Sequence, residues 1–266
     1  MIPRYFFEKD SNALNRIYNK LKSNSPVILF LDYDGTVVPI KQRPSLAVLS
    51  SKMRELLKNL AKHPNIFVGF VTGRSLTDIK SMARLKGISY IANHGFQISL
   101  PWGKWIHPDV KQKIPILKKI FSTLKNRLKT TKGVFIENKS LTLSIHYRNT
   151  PKGSIPHIKK TIRDILNSHG GFFRITNGKK VVEIRPNILW DKGCAVMKVL
   201  EMFKLQRKPL IIYIGDDKTD EDAFRILRSN GITIHVGRTC NSQAGYFLNS
   251  PSQVKKLLES INLCQN

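Results

Sequence analysis

The sequence is short of cysteine, of acidic residues and of long apolar runs, and each shortage closes off a class of protein. Cys194, Cys240 and Cys264 are too few and too scattered for a disulfide framework or a zinc site. A reducing cytoplasm is the expected compartment. No apolar stretch approaches the ~20 residues that a membrane-spanning helix requires. The segment Met1 to Asp10 lacks the basic start, long apolar stretch and small-residue cleavage site of a signal peptide. Internal repeats and low-complexity segments are also missing. Asp and Glu number 18 against 45 Lys and Arg, a net charge of +27. Such a charge points to a nucleic-acid or membrane partner, or to a lysine-rich surface. The basic residues are spread along the chain and no run reaches five, although pairs such as Lys118-Lys119 and Lys159-Lys160 occur. Aromatic interleaving of the kind that stacks bases is not evident. A solvated basic surface, partly explained by a small anionic substrate, is therefore the preferred reading. The 266 residues, 41% of them hydrophobic, suffice for one large domain or two modest ones.

Hydrophobic periodicity supplies the frame. Leu14, Ile17, Tyr18 and Leu21 predict a helix over 10–22, and Leu49, Met53, Leu56, Leu57 and Leu60 one over 45–62. The runs 27–32 and 66–71 read as buried strands, and a helix over 75–84 leads to a strand at 90–92. This alternation predicts an α/β fold, a doubly wound parallel sheet with helices on both faces. The pattern changes near residue 104. A helix over 109–128 precedes strands at 134–137 and 141–147. The second alternates Leu141, Leu143, Ile145 and Tyr147 with Thr142, Ser144 and His146. Alternation predicts antiparallel pairing with one buried and one wet face. A helix over 154–168 and strands near 172–176 and 180–184 follow. Residues 104–184 are thus expected to form an inserted α+β domain, with 1–103 and 185–266 as the core domain. Parallel-sheet logic resumes with a helix over 192–203 and a strand over 209–214. A helix over 220–229, a strand at 232–236 that closes the sheet, and a helix over 251–261 complete the expected elements.

Three apolar strands end in polar residues that core packing does not explain. The first ends in Asp32 and Asp34, the second in Thr72 and Gly73, the third in Gly215, Asp216 and Asp217. Carboxylates beside an apolar interior are costly unless a cation neutralises them, and two so close repel. Ligands of open α/β sheets bind at the carboxyl ends of the strands, so these segments are expected to converge. Asp191-Lys192-Gly193 opens a helix at the same edge. Carboxylates from two strand ends make an oxygen cage suited to Mg²⁺. With a lysine, a threonine hydroxyl and glycine-exposed N–H groups beside it, the cage becomes a phosphate site. One aspartate of the i, i+2 pair can attack phosphorus while the other serves as acid and base. Asp217, Asp220, Glu221 and Asp222 can equally be acids at a helix N-terminus, the favoured reading for the last two.

Asp-Tyr-Asp-Gly-Thr, Thr-Gly-Arg, Asp-Lys-Gly and Gly-Asp-Asp-Lys-Thr-Asp-Glu-Asp occur in the order of the four motifs of the haloacid dehalogenase-like (HAD) phosphatases, and the chain resembles that superfamily. The insertion resembles its type-2 cap. Within it the chain is similar to the trehalose-6-phosphate phosphatases. The matching words are 31–36, 71–74, 93–95, 136–139, 144–148, 178–186 and 215–224, and the likeness covers about residues 26–240. Phe96, after Asn-His-Gly, adds no support to a substrate map there. The resemblance implies a Mg²⁺-dependent phosphatase of trehalose 6-phosphate. Asp32 would be the nucleophile, Asp34 the proton carrier, and Thr72 and Lys192 the holders of the transferring phosphoryl group. Mg²⁺ would be bound by the Asp32 carboxylate, the Asp34 backbone carbonyl and Asp216, with Asp217 or Asp220 behind them. Gly73, Arg74, His94, Glu137, Lys139, Arg148, Lys179, Glu183 and Arg185 match substrate-contacting positions. His94 is equally a structural histidine, and Arg185 a partner in an ion pair. Two alternatives remain: a phosphatase of another sugar phosphate, of sucrose- or mannosyl-phosphate type, and a nucleic-acid-binding protein or polynucleotide-end phosphatase. A cap domain would hinder a duplex from reaching Asp32.

Overall fold

The computed structural model describes residues 2–178 and 180–263. In chain order the elements are β1 (Arg4–Tyr5), α1 (Ala13–Lys22), β2 (Val27–Leu31), α2 (Ser51–Leu60), β3 (Ile66–Val71), α3 (Leu76–Ala83), β4 (Ser89–Ala92), β5 (Gln97–Leu100), β6 (Gly103–Ile106), α4 (Pro108–Arg127), β7 (Phe135–Asn138), β8 (Leu143–His146), α5 (Ile155–Asn167), β9 (Phe173–Gly178), β10 (Val181–Pro186), α6 (Lys192–Phe203), β11 (Leu210–Gly215), α7 (Glu221–Leu227), β12 (Gly231–Val236), β13 (Tyr246–Leu248) and α8 (Pro251–Leu263). They fall into two units, residues 1–105 with 190–266, and residues 106–189.

The first unit is built on a nine-stranded sheet of order β1-β13-β12-β11-β2-β3-β4-β5-β6. Pairings from β1 through β4 are parallel, and β5 runs antiparallel to β4. Every residue of β2 is buried, and alternate side chains enter opposite layers. Val27, Leu29 and Leu31 join an apolar cluster with Ile17 of α1, Leu57 of α2, Ile79 of α3 and Leu257 of α8. Ile28 and Phe30 join another with Val199 of α6 and Phe224 of α7. Helices thus cover both faces, and a central strand buried on both sides must read as an unbroken apolar run.

Three expectations are corrected. The strand at 232–236 does not close the sheet, because β13 and β1 extend it. Two- and three-residue strands carry too little periodicity to read, and only their neighbours define them. The β5 and β6 strands were likewise not expected. The helix over 45–62 is a 3-10 turn at Pro44–Leu46 followed by α2, which starts where the Ser50 side chain accepts from the Met53 N–H at 3.3 Å.

The second unit is a four-stranded antiparallel sheet of order β7-β8-β10-β9 with α4 and α5 on one face. Leu143, Ile145, Val182 and Ile184 pack against Leu117, Ile120 and Leu124 of α4 and Ile158 and Ile162 of α5. The opposite face is polar but not wet as alternation predicts: Thr142 and Ser144 are 0% and 2% exposed. Ser144 lies under the Glu183 carboxylate, its hydroxyl 3.5 Å away. Among the described residues, no helix is long and apolar enough to cross a membrane.

Candidate active site

The carboxyl ends of β2, β3 and β11 are adjacent in the sheet, so the three polar segments converge. At the end of β2 the pleat splits the Asp-Tyr-Asp triplet. Tyr33 turns into the core, fully buried, with its hydroxyl donating to the Ala47 carbonyl at 2.9 Å. Asp32 is buried and its N–H donates to the Ile214 carbonyl of β11 at 2.8 Å.

Lys192 is the cation that meets it. Its Nζ lies 2.7 Å from Asp32 Oδ1 and 2.7 Å from Asp220 Oδ1, with all three side chains almost fully buried. Lys192 opens α6, where the helix dipole disfavours a cation. The carboxylates overcome this, and Asp191 caps the helix by accepting from the Cys194 N–H at 2.8 Å. Burial alone would lower the Lys192 pKa, but the charges of Asp220 and Asp32 outweigh it and raise it above the usual value. Asp220 also accepts from the Tyr213 hydroxyl at 2.7 Å and from the Asp217 N–H at 3.0 Å. Tyr213 had no signal in the sequence, since an aromatic residue in a buried strand reads as core.

Asp216 completes the cluster. Carboxylate oxygens of Asp32, Asp216 and Asp220 all lie within 4.8 Å of one another. Thr36 donates to Asp216 Oδ1 at 3.4 Å, a contact the sequence did not reveal although Thr36 sits in the first motif. Three carboxylates face one lysine, which leaves an excess of negative charge. Burial pushes the Asp32 pKa well above the carboxylate range, and the charges of Asp220 and Asp216 add to this against Lys192. Asp216 is pushed up to about 7, by burial first and then by Asp220 and Asp217. An oxygen-lined cluster that still lacks positive charge fits a hard divalent cation. Of the two residues expected behind the metal, Asp217 or Asp220, Asp217 is exposed and accepts from the Lys218 N–H at 2.6 Å.

Gly35 lets the loop approach Asp216. Its φ is +87°, and a Cβ there would lie 1.9 Å from Asp216 Oδ2. Gly35→Ala is therefore expected to destabilise the protein by about 1–3 kcal/mol through strain alone. A denaturation midpoint equal to that of the parent would contradict this.

Asp34 meets a different cation from Asp32. Arg74 donates to it twice, from Nε at 2.6 Å and from Nη2 at 2.8 Å. Arg74 also donates to Asp78 and to the Pro44 carbonyl. Thr72, at the end of β3, accepts from the Arg74 N–H at 3.2 Å. The His94 N–H donates to the Thr72 carbonyl at 2.9 Å, and the Asn93 N–H to the Arg74 carbonyl at 2.8 Å. A Cβ on Gly73 would lie 2.4 Å from the His94 ring. Thr72, Gly73 and His94 are thus brought together.

In the second unit, Glu137, Ser144, Glu183 and Thr176 form one row across the four strands. Glu183 is paired with Lys139 at 3.0 Å and with Arg185 Nε at 2.6 Å. His146 Nε2 lies 3.0 Å from Glu137 Oε2, and Arg148 is exposed just beyond β8. Lys179 lies outside the described residues.

A chain with this sheet, and with carboxylates and a lysine at its carboxyl edge, has the fold of the HAD-like hydrolases. It superposes on a haloacid dehalogenase-like hydrolase from Bacteroides thetaiotaomicron with a TM-score of 0.62, at 15% identity, covering 90% of this chain and 99% of the other. The family profile for trehalose-phosphatase matches residues 30–252. The chain is 33% identical over 269 residues to trehalose-phosphate phosphatase B of Arabidopsis thaliana, covering 96% of this chain and 71% of that one. The crystal structure of a trehalose-6-phosphate phosphatase related protein superposes with a TM-score of 0.78 at 25% identity, over 90% and 98% of the two chains. The chain therefore belongs to the trehalose-phosphatase family, a family of phosphoric monoester hydrolases.

Proposed function

We propose that this protein hydrolyses trehalose 6-phosphate to trehalose and phosphate, with Asp32 as nucleophile. The observation that carries the chemistry is the Asp32 carboxylate held by Lys192 at the carboxyl edge of the sheet. The substrate reading rests on the family and on the paired acidic and basic residues of the second unit. An Asp32 oxygen attacks phosphorus, and the bond from phosphorus to the sugar oxygen breaks. The Asp34 carboxyl supplies a proton to that oxygen as it leaves. Water then attacks the phosphoaspartate, its proton passes to Asp34, and the Asp32–phosphorus bond breaks. Lys192 and Thr72 hold the phosphoryl oxygens. Asp32, the Asp34 carbonyl and Asp216 would hold a magnesium ion, which when bound neutralises charge on the transferring group. Glu137, Lys139, Arg148, Lys179, Glu183 and Arg185 would bind the sugar hydroxyls through charge-assisted hydrogen bonds. The expected compartment remains the cytoplasm.

The test is phosphate release from a panel of sugar phosphates with and without Mg²⁺. Trehalose 6-phosphate is expected to be the preferred substrate, with activity lost in a chelator. Faster release from sucrose 6-phosphate, or undiminished rates in chelator, would overturn the corresponding part.

Metal binding carries a pH signature. A ligand carboxylate must be deprotonated, so protons compete wherever the pH lies below its pKa. With Asp216 raised to about 7, Mg²⁺ affinity is expected to fall as pH drops below 7. The slope is about tenfold per pH unit for one proton. Titration calorimetry in buffers of different ionisation enthalpy measures both affinity and proton release. Constant affinity between pH 6 and 8 would remove Asp216 from the ligand set.

A further inference from the structure

The geometry points to Arg74 as a positioning residue that aims the Asp34 carboxylate, and this rests on the reading of Asp34 as acid and base. Asp34 follows the end of β2 and precedes a glycine at φ +87°, so its side chain stands on a tight turn rather than on the strand. That side chain is 40% exposed, whereas Arg74 is 8% exposed. The more exposed partner is therefore held by the buried one. The guanidinium fork meets both carboxylate oxygens, which fixes the plane of the carboxylate as well as its position. A carboxylate has about four lone-pair sites, and the fork occupies one on each oxygen. The remaining pair serves the leaving oxygen and the incoming water.

Arg74 is itself held from several sides. Its Nη1 donates to Asp78 in the first turn of α3, and Nη2 also donates to the Pro44 carbonyl at 2.8 Å. Its Cζ lies 5.5 Å from the centroid of the Tyr33 ring, the residue between the two aspartates. Its backbone is tied to Thr72 and Asn93. One side chain thus links the Asp34 turn, the 39–48 loop and α3. Lysine, a point charge, cannot reproduce the two-oxygen fork.

The test compares two leaving groups in Arg74→Lys, Asp34→Asn and the double variant. The sugar oxygen needs a proton to depart, whereas p-nitrophenolate leaves without one. With trehalose 6-phosphate, Arg74→Lys is expected to lower kcat by roughly 10- to 100-fold with KM little changed, the size of effect that a ~1 Å misplacement produces. With p-nitrophenyl phosphate it is expected to give a fast burst of p-nitrophenol and then a slow steady state, because only the water step still needs Asp34. Asp34→Asn should show the same pattern more strongly. In the Asp34→Asn background, Arg74→Lys should add little, since its effect runs through the missing carboxylate. An equal loss in both backgrounds, absence of the p-nitrophenol burst, or a raised KM at constant kcat would overturn the proposal. Near-normal activity of Asp34→Asn would instead overturn the acid–base reading itself. Should Arg74→Lys fail to fold, Asp78→Asn releases one anchor of the guanidinium at a partly exposed position. It is expected to give a smaller loss with the same leaving-group dependence, and an unchanged kcat would then count against the proposal.

Discussion

Asp32→Asn is expected to lower kcat on trehalose 6-phosphate by about 10⁴-fold or more, the scale seen when a covalent nucleophile is removed. The amide has no charged oxygen to attack phosphorus, and no phosphoenzyme should be trapped by acid quenching. The fold should survive, for an electrostatic reason. Asp32 is one of three clustered carboxylates and its pKa is raised mainly by burial, with Asp220 and Asp216 adding to the penalty. Removing its charge lessens repulsion, and Lys192 keeps Asp220 at 2.7 Å. The denaturation midpoint in chelator is therefore expected to stay level or rise. Loss of activity with a large fall in stability would mean that Asp32 acts structurally. Activity within tenfold of the parent would exclude it as the nucleophile.

Lys192→Met is expected to do the opposite, destabilising the protein by about 3–5 kcal/mol, the cost of leaving buried charges unpaired. Asp32 and Asp220 each lose their 2.7 Å partner, and among the described residues Lys192 is the cation paired to both. The cost should depend on pH. The raised pKa of Lys192 means that its own contribution is fully present below its unfolded value, about 10.4, and is lost only above that. Between pH 5 and 8 the dependence comes from the acids instead. Asp32 and Asp216 titrate above the usual carboxylate range, so they take up protons as pH falls and need the cation less. Chemical denaturation of parent and variant in chelator should therefore show the gap narrowing from pH 8 to pH 5. Added Mg²⁺ at pH 8 should narrow it as well, because a second cation replaces part of the missing charge. A pH-independent gap would argue for lost packing of the lysine stem rather than lost charge.

Much of this site was legible along the chain, and the reason is local. A carboxylate pair at the end of an all-apolar strand is costly in any fold, so Asp32 and Asp34 marked a site before the sheet was known. The same logic picked out Asp216 after β11 and Thr72 after β3. The two-residue alternation placed Leu143 and Ile145 on one face of their sheet and Thr142 and Ser144 on the other, whereas Glu137, Glu183 and Arg185 were picked out by the family resemblance. What stayed illegible depended on partners far along the chain. Thr36 meets Asp216 across 180 positions, and Tyr213 reads as an ordinary core aromatic until its hydroxyl is seen on Asp220. The outer strands β1 and β13 are too short to have a period of their own.

The two aspartates show the division most clearly. The sequence determined by itself that both lie at the carboxyl edge of a parallel sheet, because strand period and strand end are local properties. Only the tertiary structure decided which cation each would meet. Lys192 reaches Asp32 across 160 positions and Arg74 reaches Asp34 across 40. Ion pairing depends on distance in space and on burial, and neither is encoded in the spacing of residues along a chain.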